Sequence, residues 1–341
     1  MQTMQNIDLL YKKLLQPSHE LIEDVTTIKG DILILGVGGK MGPALARLAK
    51  RAVDMAGVNK RIIGVSRFSE PGLQEQLSKE GIETVHADLL EDDQLQNLPC
   101  TANVLYLAGV KFGTQGNESF TWAMNAYLPG RVAQRFKHSN IVAFSTGNVY
   151  PLTPVVSGGA SENLFPDPVG EYAQSCLGRE RLFQYYSSKL DIPMLIYRLN
   201  YANDVSYGVL LEIAKAVKEK KPVDLRMGNV NVIWQGDANE IAIRSLKHCA
   251  VPPKILNITG PETLSVRWIA GQFGDMFEQP PVFINEEQPT ALLSNAAESF
   301  RLFGYPKVTV KQIIELIAEW MNSGGRTLNK ETHFQERKGK Y

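Results

Sequence analysis

Net charge is missing from this sequence: 36 Lys plus Arg balance 36 Asp plus Glu, for a formal charge of zero. A balanced surface has no global attraction for nucleic acid or anionic membrane, so neither is an expected partner. Cysteine is scarce. Cys100, Cys176 and Cys249 are odd in number and match no zinc or redox spacing. That makes a poor disulfide framework and points to a reducing, cytoplasmic setting. His19, His86, His138, His248 and His333 stand apart from acidic partners at metal-ligand spacing, so no metal is expected. No apolar run reaches the roughly 18 residues of a membrane span. Asp8, Lys12 and Lys13 interrupt the apolar N-terminal stretch, which does not read as a secretory signal. What is present is bulk: 341 residues, 44% of them hydrophobic, suffice for one large domain or two closely joined ones.

Hydrophobic period and chain breakers divide the sequence. Leu9, Leu10, Leu14 and Leu15 recur at helical spacing before Pro17-Ser18, so residues 5–29 read as a leading helix and a connector. Short apolar runs at 31–35, 61–65, 83–85, 103–107, 140–145 and 194–199, with another near 255, read as strands. Helices are expected near 43–49, 72–79, 122–137 and 172–190. Strands alternating with helices predict a parallel sheet covered on both faces. The stretch 147–170 is rich in Gly, Pro and Ser and reads as a long surface loop of the kind that lines sites. Further helices are expected at 207–219, 236–248, 265–277, 294–303 and 309–322.

The first strand runs into Gly36-Val37-Gly38-Gly39-Lys40-Met41-Gly42, and a helix follows. Glycine at 36 permits a tight turn. Glycine at 38 or 39 lets backbone approach a pyrophosphate, and Gly42 lets the helix pack closely on the sheet. The helix start, flanked by Lys40 and Met41, offers N–H groups and a positive dipole end to a phosphate. The loop lacks the Lys-Ser/Thr ending of a P-loop, which disfavours ATP or GTP. The expected fold is α/β: a Rossmann-type parallel sheet with helices on both faces, plus a smaller C-terminal substrate lobe. In this division residues 1–29 are a helical extension and 30–200 the dinucleotide-binding domain, completed by the strand near 255. Residues 201–323 are mainly the substrate-binding lobe, and 324–341 are a polar tail, loose or latching. A free ribose 2′-OH usually meets an acid at the end of the second strand, but here the residues are Ser66-Arg67. A hydroxyl beside a guanidinium suits a 2′-phosphate, so NADP is expected over NAD. Asp88 is placed to reach the adenine amino group or to cap the next helix. Lys111 and Asn148 follow strand ends on the nicotinamide side.

Taken in order, these features resemble the extended short-chain dehydrogenase/reductase superfamily, and within it the NAD-dependent epimerase/dehydratase family, from about residue 31 to about 320. The family's G-x-x-G-x-x-G falls on Gly36, Gly39 and Gly42, its Asp-Leu on Asp88-Leu89, its Ala-Gly on Ala108-Gly109 and its helix Asn on Asn125. Its strand ending Ser-Ser/Thr-x-x-Val-Tyr matches Ser145-Thr146-Gly147-Asn148-Val149-Tyr150, and its Tyr-x-x-x-Lys begins at Tyr172. Glu180, Arg198, Asn200, Asp237 and the stretch 257–265 also follow the family. The resemblance implies that Tyr172 and Thr146, with Ser145 beside them, are catalytic, and that Leu89, Ala108, Gly109, Lys111 and Asn125 serve the cofactor. It implies a small sugar, polyol or nucleotide-sugar between the lobes, with Asn148, Tyr201, Asn203 and Arg226 as candidate contacts by position. It also implies a homodimer paired through the helices near 122–137 and 172–190.

The departure is at 176. Where the family has lysine, four residues after Tyr172, this chain has Cys176. The resemblance gives that lysine two tasks: binding the nicotinamide ribose and lowering the tyrosine pKa. A free tyrosine titrates near pH 10, and a neighbouring cation favours its phenolate. Cysteine supplies no such charge. Arg179 falls near the same helix face but about two turns away, too far for an evident replacement. Three readings stay open. In two of them the chain is an NAD(P)-dependent epimerase, dehydratase or reductase-like enzyme with an atypical active site: either a basic residue from elsewhere or the nicotinamide's own charge helps Tyr172, or Tyr172 is a neutral acid or hydrogen-bond donor and the chemistry is slow or different. The third is an NAD(P)-binding sensor or scaffold with little or no turnover.

Overall fold

Seven strands form one parallel sheet: β1 (Ile32–Leu35), β2 (Ile62–Ser66), β3 (Glu83–His86), β4 (Asn103–Tyr106), β5 (Asn140–Thr146), β6 (Met194–Leu199) and β7 (Lys254–Ile258). Their order is β7-β6-β5-β4-β1-β2-β3. The computed structural model describes residues 9–111, 113, 116–328 and 332–340, so residues 5–8 of the expected leading helix lie outside the described residues. Strand order reverses between β1 and β4, the place where a doubly wound sheet opens a crevice at its C-terminal edge. Burial on both faces explains why these strands are short continuous apolar runs. Ile32 and Ile34 of β1 enter the apolar cluster on one face, and Leu33 and Leu35 enter the cluster on the other.

The first face is covered by the helices His19–Thr27, Gly42–Met55 and Gln235–Arg244, which pack on one another. The second is covered by Leu128–Arg135 and Gly170–Leu190, through Leu128, Val132 and Phe183. A separate C-terminal lobe has its own core. Its helices Val209–Lys218, Val266–Phe277 and Val310–Asn322 meet around Leu210, Ile213, Phe273 and Ile313. The chain returns from this lobe to the sheet as Gln235–Arg244, as β7 and as the helix Ala297–Phe303, which packs on β7.

Three expected elements differ in detail. The connector after Pro17-Ser18 is the helix His19–Thr27, with Ser18 accepting from the Leu21 N–H as its N-cap. The helix expected over 122–137 is broken into Glu118–Trp122, a π-helical turn Ala123–Tyr127, and Leu128–Arg135. Pro129 has no N–H to return to the Asn125 carbonyl, and that carbonyl accepts from Arg179 Nε at 3.4 Å. The stretch expected as irregular, 147–170, holds the 3₁₀ turns Gly147–Val149 and Val155–Ser157 and a short strand Thr153–Pro154 paired with Thr290–Ala291. Among the described residues of the tail, Phe334 is buried in the lobe core, and Arg337 donates to the Thr290 carbonyl at 2.7 Å and its hydroxyl at 2.6 Å. Among the described residues no helix is long and apolar enough to cross a membrane.

Candidate active site

β1 ends at Gly36, whose φ of +89° belongs to glycine, and a Cβ there would lie 2.8 Å from the Ala108 nitrogen. The ends of β1 and β4 therefore touch through bare backbone. Gly39 N–H donates to the Gly36 carbonyl at 3.0 Å, closing the loop. A Cβ on Gly42 would run into the Val37 carbonyl, so the next helix starts directly over the loop. No side chain caps that helix, and Pro43 lies in its first turn. Its remaining N–H groups face the loop with the positive end of the helix dipole. The Lys40 ammonium is 3.7 Å from the centroid of the Tyr207 ring.

A cavity of about 410 Å³ runs from this loop to the ends of β4 and β5. Gly36, Gly38, Gly39, Lys40, Met41 and Gly42 line one end, and Gly109, Lys111, Ser145, Thr146, Asn148 and Tyr172 line the other. Tyr201 from the lobe faces the same space, and its φ of +43° is a strained value for a tyrosine.

A buried polar network fixes the β5 end. The Ser145 hydroxyl donates to Glu180 Oε1 at 2.5 Å. Arg198 holds the same carboxylate with two N–H groups, at 2.9 and 2.6 Å, and gives a third to the Tyr150 hydroxyl at 2.5 Å. That hydroxyl in turn donates to Asn257 Oδ1 at 2.9 Å. One chain of hydrogen bonds thus ties β5, β6, β7 and the helix Gly170–Leu190 together. Burial works against the Arg198 charge, but Glu180 outweighs it and leaves the guanidinium pKa raised.

Tyr172 stands in the first turn of the helix Gly170–Leu190. Burial, and then Cys176, push its phenol well above the ordinary range, opposed by Arg179 and by a hydrogen bond with Thr146. The Thr146 hydroxyl also bonds Asn148, donating to Oδ1 at 3.0 Å and accepting from the backbone N–H at 3.2 Å. Cys176 is fully buried against Val149, Tyr150 and Ala160, and burial raises its thiol pKa. Lys111 Nζ lies 5.8 Å from the centroid of the Tyr172 ring. Loss of hydration lowers the Lys111 pKa to about 8, against the pull of Cys176 and Glu212.

Other expected residues stand behind the cavity wall. Asn125 is buried; its amide donates to the Val110 carbonyl at 2.8 Å, and its oxygen accepts from Val110 N–H at 2.9 Å and Arg179 Nη2 at 2.7 Å. It therefore sets the loop after β4. Ser66 lies against Gly38, while Leu89 and Ala108 are packed in the core. Asn203 is turned inward, donating to the Tyr201 carbonyl at 2.7 Å and accepting from Leu210 N–H at 2.9 Å. Arg226 is exposed and clamped to Asp224 at 2.6 Å, away from the cavity. Asn203 and Arg226 were expected at the substrate; their side chains have these internal partners, and neither lines the cavity. Asn200, Tyr207, Gln235 and Thr332 line the cavity without having been singled out as contacts. Nothing local in the sequence marks Thr332, which arrives from the tail. Among the described residues no cluster of three or more His, Cys, Asp or Glu could hold a metal.

Solved structures share this architecture. A UDP-glucuronic acid 4-epimerase from Bacillus cereus in complex with NAD is 20% identical, with 86% of this chain and 97% of that one covered and a TM-score of 0.71. A dTDP-glucose 4,6-dehydratase from Streptomyces venezuelae with NAD is 17% identical, with the same coverages and TM-score. A UDP-glucose 4-epimerase from Thermotoga maritima with UDP-glucose is 12% identical, covering 86% of this chain and 99% of that one at a TM-score of 0.67. At these identities the likeness is one of fold. No curated protein matches the chain.

The expectation of NADP is corrected. The Bacillus cereus and Streptomyces venezuelae structures hold NAD. In this chain Arg67 is already engaged, with Nη1 3.5 Å from Asp88 Oδ2, and Ser66 Oγ accepts from Phe68 N–H at 3.2 Å. The two groups read as a 2′-phosphate cradle therefore have internal partners. The model of the NAD dependent epimerase/dehydratase family matches residues 32–235, well over half of the chain, and the protein belongs to that family.

Proposed function

We propose that this protein is an NAD-dependent enzyme acting on a hydroxyl-bearing carbon of a small sugar, polyol or nucleotide-sugar, as an epimerase, dehydratase or reductase. The observation that carries the reading is the continuity of one cavity from the glycine loop to Tyr172 and Thr146. The residues fit NAD, because bare backbone from Gly36 to Gly42 lines one end of the cavity beneath an uncapped helix N-terminus, and a Cβ at Gly36 or Gly42 would collide with the backbone of Ala108 or Val37 and disrupt the loop. Backbone from Gly36 to Gly42, with Lys40 and Met41, would hold the pyrophosphate. Ser66 and Asp88 would serve the adenosine and Gly109 and Lys111, set by Asn125, the nicotinamide ribose, with Leu89 and Ala108 packed behind them. When bound, NAD supplies a hydride acceptor or donor. Tyr172 exchanges the proton of the substrate hydroxyl, Thr146 hydrogen-bonds the same oxygen, and Ser145 keeps the strand end on Glu180. Asn148 and Tyr201 are the substrate contacts this reading retains.

Cys176 favours a second reading, an NAD-binding sensor or scaffold without turnover, because its side chain brings no cation to the tyrosine. Assay of the purified protein with NAD against panels of sugars and nucleotide-sugars separates the two. The enzyme reading expects product, and a Tyr172→Phe loss of about 100-fold or more in kcat. Undiminished turnover by Tyr172→Phe would contradict the proton-transfer role. Binding of NAD with no product across the panels would support the sensor.

The proposal extends to organisation. The extension 1–29, the dinucleotide unit 30–200 with β7, the lobe 201–323 and the tail 324–341 are its working units. Trp122, Tyr127 and Tyr185 are exposed around the helices expected to pair, which supports a homodimer. Light scattering at twice the chain mass is the expected result. The three cysteines are free thiols, in keeping with a reducing cytoplasm.

A further inference from the structure

Position 176 is buried beside the tyrosine. Cys176 is packed among Val149, Tyr150 and Ala160 and shares a hydrogen bond with Tyr172, so this helix face brings a neutral thiol and no cation to the phenol. A lysine reaches the tyrosine by another route. β4 ends at Tyr106, and the Asn125 side chain brackets Val110 through both its N–H and its carbonyl, at 2.9 and 2.8 Å. The next residue, Lys111, therefore leaves the sheet edge in a fixed direction. It lines the same cavity as Tyr172, Thr146 and Asn148, and its ammonium lies 5.8 Å from the tyrosine ring centroid. Its Nζ also approaches the Thr332 carbonyl at 3.5 Å. Thr332 is pinned by Glu212, which accepts from its N–H at 2.7 Å and its hydroxyl at 2.5 Å.

We infer that Lys111, delivered from the end of β4 and steadied by the tail at Thr332, supplies beside Tyr172 the positive charge that position 176 does not. It is a positioning residue that acts through the tyrosine, and the inference rests on the enzyme reading above. Among the described residues, the charged and titratable groups near Tyr172 include Cys176 and Arg179 from its own helix, which act on the phenol, and Lys111 from the β4 end, 5.8 Å from the ring centroid, with Thr146 bonded to the phenol from β5. Glu212 and Cys176 both act on Lys111. Arg179 is the competing cation. Its guanidinium is tied to Asn125 Oδ1 at 2.7 Å and to the Phe144 carbonyl at 2.8 Å, and it lies against the back of Gly109. It helps from behind the wall, whereas Lys111 faces the reacting space. The lowered Lys111 pKa, about 8, means that its charge is present at pH 7 and fades as pH rises through 8.

The test compares wild type, Lys111→Met and Lys111→Arg, each alone and with Tyr172→Phe. The first readout needs no cofactor: ultraviolet titration of tyrosinate, with the Tyr172→Phe curve subtracted to leave Tyr172. At this separation, one charge shifts a neighbouring group by about one to two pH units at an effective dielectric near 20. Because Lys111 loses its charge near pH 8, below the range in which Tyr172 titrates, Lys111→Met is expected to leave the Tyr172 midpoint in place, and Lys111→Arg, whose charge persists, to lower it by that amount. The second readout is the pH profile of kcat with NAD and substrate. Lys111→Met should lower kcat at pH 7 by about 10- to 100-fold, and Lys111→Arg should remove any decline of wild-type rate above pH 8. An unmoved tyrosinate midpoint in Lys111→Arg overturns the inference while leaving the enzyme reading intact. Binding of NAD with no product from wild type across the panels overturns the enzyme reading instead.

Discussion

Glu180 accepts from a serine hydroxyl and two guanidinium N–H groups and is fully buried. Glu180→Gln would leave Arg198 charged and unpaired, so it is expected to cost about 3–5 kcal/mol, read as a lower urea midpoint. The motif positions of Glu180 and Arg198 were legible in the sequence. Their joint engagement with Tyr150 and Asn257 was not, because it links three strands and a helix that only folding brings together. The thiols carry a second expectation. Cys100 is exposed, while burial pushes Cys176 upward and Cys249 up to about 12. Native alkylation near pH 8 should label Cys100 first, as mass mapping would show, since the thiolate is the reactive form. Early labelling of Cys176 would contradict its placement in the core.

Between elements, the helix Gln235–Arg244 is fastened to the lobe by Asp237, which accepts from Val308 N–H at 3.0 Å. Burial raises the Asp237 pKa from 3.8 to about 6. Here the folded state binds the proton more tightly than the unfolded state. The resulting stabilisation is therefore present below about pH 4 and lost as pH rises through 6. Asp237→Asn keeps an acceptor and removes the charge, so it is expected to raise the urea midpoint at pH 7–8, by up to about 3 kcal/mol. The difference from wild type should shrink as pH falls through 6. A gain independent of pH would contradict the buried carboxylate. The tail offers a second test. Phe334→Ala is expected to cost about 3 kcal/mol, because that ring anchors residues 332–340 in the lobe core. The tail's composition is polar, so the sequence left it as loose or latching; one buried phenylalanine decides the matter only once its pocket exists. The broken helix around Asn125 was hidden for a similar reason: Pro129 is visible, but the carbonyl it releases finds Arg179 across space.

At the scale of the molecule, the alternation of short apolar runs with helices was enough to predict a parallel sheet, and the glycine loop was enough to place its crevice. Cofactor choice was not legible in the same way. Ser66-Arg67 reads as a phosphate cradle along the chain, yet Asp88, following a neighbouring strand, reaches Arg67 and offsets its charge. Pairing between strands is a property of the sheet, and it reverses what adjacent residues suggest. The same reasoning places Lys111 beside Tyr172, from a strand end far from the tyrosine in sequence. The account rests most on the claim that the crevice holds NAD. Calorimetric titration of the purified protein with NAD, NADH, NADP and NADPH tests it directly. The account predicts binding of NAD or NADH well below about 1 mM, the phosphorylated forms at least about tenfold weaker, and loss of binding in Gly36→Val. No binding of either unphosphorylated form at about 1 mM, or tighter binding of NADP, would contradict it.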